Sequence, residues 1–121
     1  MSTLELSSDS ENTLLSRREV RGTFTGGSGL ITRQSACDAI ASKLGVDKSK
    51  VQVISLRGKF GTRDLITEAY VFNDTSKVKE QLPHYITIRQ LPKDERKKAR
   101  EEQKKAKAST APAAGSEPAK K

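Results

Sequence analysis

The chain has 121 residues, which is enough for one small domain with a tail. Hydrophobic residues make up 33% of the sequence, below the roughly 45–50% of an average globular chain, and charged residues make up 31%. The formal net charge of +8 favours a polyanionic partner, nucleic acid first and an anionic membrane surface second. We expect neither a transmembrane helix nor a secretory signal, because the sequence has no long apolar run. The single cysteine, Cys37, cannot form a disulfide within the chain and fits a reducing cytoplasm.

Charge divides the chain near residue 92. Residues 1–92 carry 13 basic and 10 acidic residues, whereas residues 93–121 carry 10 basic and 5 acidic residues, and their only apolar side chains are alanines. A segment without large apolar side chains cannot anchor itself in a core. We therefore predict a folded α+β domain over 1–92, a basic helical extension over 93–107 and a disordered low-complexity tail over 108–121.

Alternation of apolar and polar residues predicts the strands of the folded part. The first strand is expected around Leu4 and Leu6 and is interrupted by the polar residues 7–12. The later strands are expected over 14–25, 51–59 and 65–73, followed by a short extended segment with Tyr85, Ile86 and Ile88. The short loop Phe60–Asp64 between the third and fourth strands indicates a β-hairpin.

Two helices are expected between these strands. Thr32 is predicted to cap the first helix, and Gly45 is predicted to end it. The second helix is expected to begin after Asn73 or Asp74 and to end at Pro83. The apolar stripe of the first helix consists of Ala36, Cys37, Ile40, Ala41 and Leu44. Strands with interspersed helices in so short a chain indicate an α+β domain with one sheet covered by helices.

Residues suited to catalysis or metal binding are sparse. His84 is the only histidine and lies in a different element from Cys37, which argues against a nucleophile–base pair. The glycine-rich residues 22–29 lack the Lys-Ser/Thr of a phosphate-binding loop. Asp9 and Glu11 lack the spacing of a calcium loop. We therefore predict no enzyme activity, no catalytic residue, no cofactor and no metal site.

Basic residues, in contrast, cluster on a strand, on the predicted hairpin and in the C-terminal segment. Phe60 lies at the hairpin tip, where a base or ribose can stack on its ring, and the neighbouring cations can bind phosphates. With 4% aromatic residues and no tryptophan, the sequence favours recognition of the backbone and shape of folded RNA over readout of a single strand. The predicted RNA-binding residues are Arg17, Arg18, Arg57, Lys59, Phe60, Arg63, Arg89, Lys93, Arg96, Lys97, Lys98, Arg100, Lys104 and Lys105.

Several short motifs follow one another in a characteristic order. They are Leu-Leu-Ser-Arg-Arg-Glu-Val over 14–20, Lys-Leu-Gly-Val over 43–46 after the capped helix, Val-Gln-Val-Ile over 51–54 and Lys-Phe-Gly over 59–61. In this order and spacing, over about residues 3–92, the sequence resembles a known family, small-subunit ribosomal protein twenty-four of the archaeal and eukaryotic type.

The resemblance implies a four-stranded antiparallel sheet and a structural role in the small ribosomal subunit, bound to ribosomal RNA. We expect ribosomal RNA and neighbouring ribosomal proteins as partners, a cytoplasmic location on the ribosome, no membrane association and a monomer when free. A basic RNA- or DNA-associated accessory factor acting off the ribosome is the alternative, and it would not sediment with a subunit. A small enzyme or nucleotide-binding domain would need an acid–base group or phosphate loop that the sequence lacks.

Overall fold

The structure, a computed structural model, describes residues 2–110, except for the side chain of Thr110. The chain divides into two compact units, one up to Gln90 and one from Leu91 onward. The elements of the first unit are β1 (Thr3–Asn12), β2 (Arg17–Thr25), α1 (Arg33–Leu44), a single 3-10 turn (Lys48–Lys50), β3 (Val51–Gly58), β4 (Leu65–Phe72), α2 (Ser76–Gln81) and α3 (His84–Gln90). The second unit contains α4 (Lys93–Thr110).

The four strands form one antiparallel sheet in the order β1-β2-β4-β3. This arrangement confirms the predicted α+β fold with a four-stranded antiparallel sheet. Arg17 pairs with Phe72 at one end of the sheet, and Phe24 pairs with Leu65 at the other. The β1–β2 turn and the β3–β4 loop therefore lie at opposite ends of β4, which is about 25 Å long at the usual rise per residue.

Helix α1 covers one face of the sheet and forms the main core with it. Thr32 caps the helix as predicted, since its Oγ1 accepts a hydrogen bond from the Ser35 amide at 3.2 Å. Gly45 ends the helix as predicted, with a left-handed φ of 67° that glycine adopts without strain. The residues buried in this core are Val20, Phe24, Ala36, Cys37, Ile40, Ala41, Val51, Val53, Leu65, Ala69 and Val71.

A second, smaller cluster lies on the opposite face, where Phe72 packs with Val78 of α2, with Leu82 and with Ile86 of α3. The prediction of an extended segment over Tyr85–Ile88 was wrong, because these residues form α3. Alternating isoleucines suggested a strand, but Ile86 and Ile88 are both buried within one helix. Pro83 stands just before this helix, where its fixed φ favours helix initiation and its missing N–H costs nothing.

Two further boundaries differ from the prediction. Strand β1 continues through the polar residues 7–12, with an irregularity in register at Ser7, because its backbone pairs with β2 and an edge strand needs few apolar side chains. Helix α2 begins after Thr75, which makes no side-chain capping bond, so the predicted cap at Asn73 or Asp74 was wrong.

Helix α4 ends at Thr110, three residues beyond the predicted end at residue 107. Asp94 and Glu95 lie in its first turn and Lys107 in its last, an arrangement that complements the helix dipole. The remainder of the predicted disordered tail, residues 111–121, lies outside the described residues. Within residues 2–110, no helix combines the length and the apolarity needed to cross a membrane.

Candidate nucleic-acid interface

The β3–β4 loop is a tight, internally hydrogen-bonded turn. The Lys59 amide donates to the Asp64 carbonyl at 2.9 Å, and the Thr62 amide donates to the Lys59 carbonyl at 3.3 Å. Gly61 has a φ of 79°, a conformation that few other residues adopt without strain. Backbone bonds therefore hold this loop, residues 59–64, and leave the side chains of Lys59, Phe60 and Arg63 available for other contacts. We call it the tip loop.

A neighbouring loop, residues 26–29, braces the tip loop. The Ser28 amide donates to the Arg63 carbonyl at 2.9 Å, and the Gly26 amide donates to the Asp64 carboxylate at 3.1 Å. The Asp64 carboxylate is thus engaged by a backbone amide. The glycine-rich segment, which the sequence left without a role, supports the predicted binding loop.

The side chains of the tip loop project cations and one ring into solvent. Phe60 is fully exposed, at 102% of its reference area, so it contributes nothing to the core. Among the described residues, neither Lys59 nor Arg63 forms a side-chain ion pair. An exposed ring between two cations without carboxylate partners can stack on a base while the cations contact phosphates.

A glutamate on β4 brings two further arginines together near this loop. Arg57 and Arg21 lie on the strands on either side of β4, and both approach the same Oε1 of Glu68, at 4.0 and 3.3 Å. Their side chains remain 71% and 68% exposed, so a second anionic partner can reach both. Arg21 is not among the RNA-binding residues predicted from the sequence, because the period-2 alternation places it on the Arg57 face only once the strand register is known.

Arg17 lies at the other end of the sheet, away from the tip loop. Its guanidinium donates to Glu19 at 2.9 and 3.0 Å, donates to Gln81 at 3.3 Å and stacks over the Tyr70 ring at 4.0 Å. Only 13% of its side chain is exposed. These contacts hold β2 against β4 and α2, and they leave little of the Arg17 charge for an outside partner.

The neighbouring Arg18 forms a bidentate ion pair with the carboxylate of Asp9. The hydrogen bond from Arg18 lowers the pKa of the Asp9 carboxyl below its ordinary value of 3.8, although burial opposes the effect. The same hydrogen bond raises the pKa of Arg18. The structure therefore does not bring Arg17 and Arg18 together with the tip loop, and an RNA role for them stays a prediction.

Helix α4 carries most of the remaining predicted cations, and the helical period groups several of them. Spacings of four, three, four and three residues place five cations on one face of the helix, over about 21 Å of its length. This face, the α4 stripe, consists of Lys93, Lys97, Arg100, Lys104 and Lys107. Lys98 and Lys105 lie outside the stripe, and Arg96 donates to the Leu91 carbonyl at 3.1 Å. Arg89 lies in α3 and stacks over the Tyr85 ring at 4.9 Å.

The two residues considered for catalysis lie apart from this surface. His84 is exposed at the start of α3. Cys37 is buried in α1, with its Sγ 3.4 Å from the Val51 carbonyl, and burial raises the pKa of its thiol. In the part of the chain that is described, no three His, Cys, Asp or Glu side chains are grouped to hold a metal ion.

Comparison with known proteins agrees with the motifs and the fold. The family model described as Ribosomal protein S24e matches residues 2–91. A protein of Pyrobaculum aerophilum named small ribosomal subunit protein eS24 is 38% identical over 89 residues, which cover 72% of this chain and 73% of that protein. A Natronomonas pharaonis protein of the same name is 32% identical over 94 residues, covering 76% of this chain and 89% of the relative. The family match spans most of the chain, and the chain therefore belongs to the S24e family of ribosomal proteins.

Proposed function

We propose that this protein is a structural constituent of the small ribosomal subunit, where it binds ribosomal RNA without a catalytic step. The names of its relatives support a place in the small ribosomal subunit, and the net charge of +8 supports binding to RNA. The main support for the RNA-binding site comes from the tip loop, where an exposed Phe60 lies beside two cations that have no carboxylate partner within residues 2–110.

In this mechanism, the tip loop enters a folded region of RNA as a rigid element. Its backbone conformation is set before binding by the bonds to Asp64, Ser28 and Gly26, so little conformational entropy is lost on contact. Lys59 and Arg63 then neutralise phosphates, and the ring of Phe60 stacks on an accessible base or ribose. Arg57 and Arg21 extend the cationic surface along the sheet.

The α4 stripe supplies a second contact of a different kind. A row of cations along one helix face matches the row of charges along a phosphate backbone, and it needs no particular base sequence. We assign to it the sequence-independent part of the affinity. The predicted division into a domain over 1–92 and an RNA-binding extension from residue 93 belongs to this proposal, as do the monomeric free state and the cytoplasmic ribosomal location.

A salt titration tests the electrostatic mechanism. If about six phosphates are neutralised, the logarithm of the affinity for small-subunit ribosomal RNA should fall with the logarithm of salt at a slope of roughly −4 to −5. A flat response in a filter-binding experiment would refute electrostatic RNA binding. Co-sedimentation with the small subunit in a sucrose gradient tests the ribosomal assignment, and RNA binding without co-sedimentation would favour the accessory factor instead.

A further inference from the structure

A second apolar side chain lies in solvent beside the tip loop. Leu30 is 79% exposed, and it directly follows the loop whose amides donate hydrogen bonds to Arg63 and Asp64. We call residues 26–30 the glycine loop. Leu30 and the fully exposed Phe60 therefore belong to two loops that are hydrogen-bonded to each other at the same end of the sheet.

The glycine loop is held in place as the tip loop is. The Gly27 carbonyl accepts hydrogen bonds from the amides of Leu30 at 3.0 Å and of Ile31 at 3.1 Å. Gly27 is buried, and a Cβ at this position would crowd the side chains of Ile31 and Phe24. The loop is thus packed closely on the core, while the side chain of Leu30 stays in solvent.

The charges at this end of the sheet favour RNA as the partner. Lys59 and Arg63 form no ion pair in the described part of the chain, and the carboxylate of Asp64 accepts a hydrogen bond from a glycine-loop amide. The glycine loop has no charged residue. Glu5 also lies at this end, but on the edge strand β1, with β2 between it and β4. Unmatched cations beside exposed apolar side chains suit the phosphates and bases of RNA.

The exposed ring of Phe60 restricts the kind of RNA that can use it. Bases inside a helix cover one another's faces, so only an unstacked base can offer its face to an aromatic side chain. The major groove of an RNA helix is deep and narrow, and the minor groove displays base edges and 2′-hydroxyls. A ring at a hairpin tip therefore cannot contact a base face along a continuous duplex. An unpaired nucleotide in a bulge or loop of folded RNA supplies such a face.

We propose that the tip loop and the glycine loop together bind an unpaired segment of folded RNA, with one base stacked on Phe60 and the adjacent nucleotide packed against Leu30. Lys59 and Arg63 contact phosphates of the same segment. This inference rests on the proposed function; it names the class of RNA structure that the tip loop recognises and adds the glycine loop to the site. Because stacking tolerates every base, the site selects an unpaired conformation and not a base sequence.

Site-directed photo-cross-linking tests this assignment. Thr62→Cys and Ser28→Cys each place a reactive thiol in one of the two loops, because both positions are exposed, and they keep the apolar side chains. Cys37 is only 8% exposed and burial raises the pKa of its thiol, so a photoreactive maleimide labels the introduced cysteine selectively. Each labelled full-length chain is assembled into small subunits that lack the native copy and is then irradiated. The chain with Cys37 alone is the control for stray labelling.

Primer extension locates the RNA adducts, and 2′-hydroxyl acylation of subunits without the chain identifies the unpaired nucleotides. We expect both labels to form RNA adducts close together in the RNA sequence, at nucleotides that are unpaired. Adducts at paired nucleotides would overturn the proposal, as would adducts with a protein in place of RNA or no adduct above the control. The salt titration decides separately whether electrostatic RNA binding holds, so the proposed function can survive this failure.

Two leucine variants test the contact at Leu30. Leu30→Ser should lower the affinity for small-subunit ribosomal RNA about fivefold and leave the salt slope unchanged, because an apolar contact releases no counterions. Leu14→Ser is the matched control, since Leu14 is 94% exposed in the β1–β2 turn at the opposite end of the sheet, and it should bind as wild type does. Both variants should keep the wild-type melting temperature. Equal affinities of the two variants in filter binding would refute the role of Leu30.

Discussion

Neutralising the tip loop should impair RNA binding while leaving the fold intact. In the variant with Arg57, Lys59 and Arg63 all replaced by Ala, the loop keeps its backbone bonds, which do not depend on these side chains. The only ion pair removed among the described residues is the 4.0 Å contact of the exposed Arg57 with Glu68. Each exposed substitution changes stability by at most about 0.5 kcal/mol, with the surface pair counted in the Arg57 substitution, so the free energy of unfolding should fall by no more than about 1.5 kcal/mol.

The loss of binding free energy should be at least twice the loss of stability. At about 1 kcal/mol for each charge contact, three contacts amount to about 3 kcal/mol, or an affinity roughly 150 times weaker. The salt slope should also become shallower by about 2 to 3, since each phosphate contact contributes about 0.7 to 0.9. Filter binding to small-subunit ribosomal RNA at about 50 to 200 mM salt measures both quantities, and urea unfolding measures the stability.

A matched control separates the position of these charges from their number. Replacing Lys48, Lys77 and Lys79 by Ala removes the same formal charge from the other part of the domain, before β3 and on α2. The long-range attraction to RNA should fall equally in both variants, but only the tip variant loses local contacts. Equal weakening by the two variants would refute the tip loop as a binding site. A tip variant that melts early yet binds normally when folded would show that its cations are structural.

Three further perturbations test other parts of the structure. Phe60→Ala should not change the melting temperature but should weaken RNA binding by about 1 to 3 kcal/mol, with Trp restoring the affinity and Leu failing to do so; equal filter binding of the Leu variant would exclude stacking. Because Arg18 holds the pKa of Asp9 below 3.8, the pair stabilises the fold above that pH, and the contribution disappears as the pH falls through the lowered pKa. Urea titrations should therefore show that Asp9→Asn is less stable than wild type near about pH 6 and that the difference shrinks as the pH falls below 3.8; a constant difference would contradict the ion-pair explanation. Ending the chain at Pro92 should leave the melting temperature nearly unchanged while lowering RNA affinity and the salt slope, and a loss of dispersed amide NMR signals would show that residues 93–121 support the domain.

Structural features that depend on only a few neighbouring residues could be predicted from the sequence. The two ends of α1, at Thr32 and Gly45, could be predicted because a capping hydroxyl and a left-handed residue each act within one turn of the helix. The hairpin of β3 and β4 followed from period-2 alternation on both sides of a short loop. The exposure of Phe60 followed because its place at the tip of that hairpin offered no core position for the ring.

Features that depend on a partner distant in the chain required the tertiary structure. The polar half of β1 is a strand because β2 pairs with it, and no local pattern signals such an edge strand. Ile86 and Ile88 suit a strand or a helix equally well until packing against the sheet and the neighbouring helices decides between them. Arg17 donates a hydrogen bond to Gln81, which lies 64 residues later in the sequence. The strand arrangement places Arg17 away from the tip loop. A sequence specifies which residues carry charge, but only the packed sheet determines which of those charges are matched within the fold and which remain for a partner.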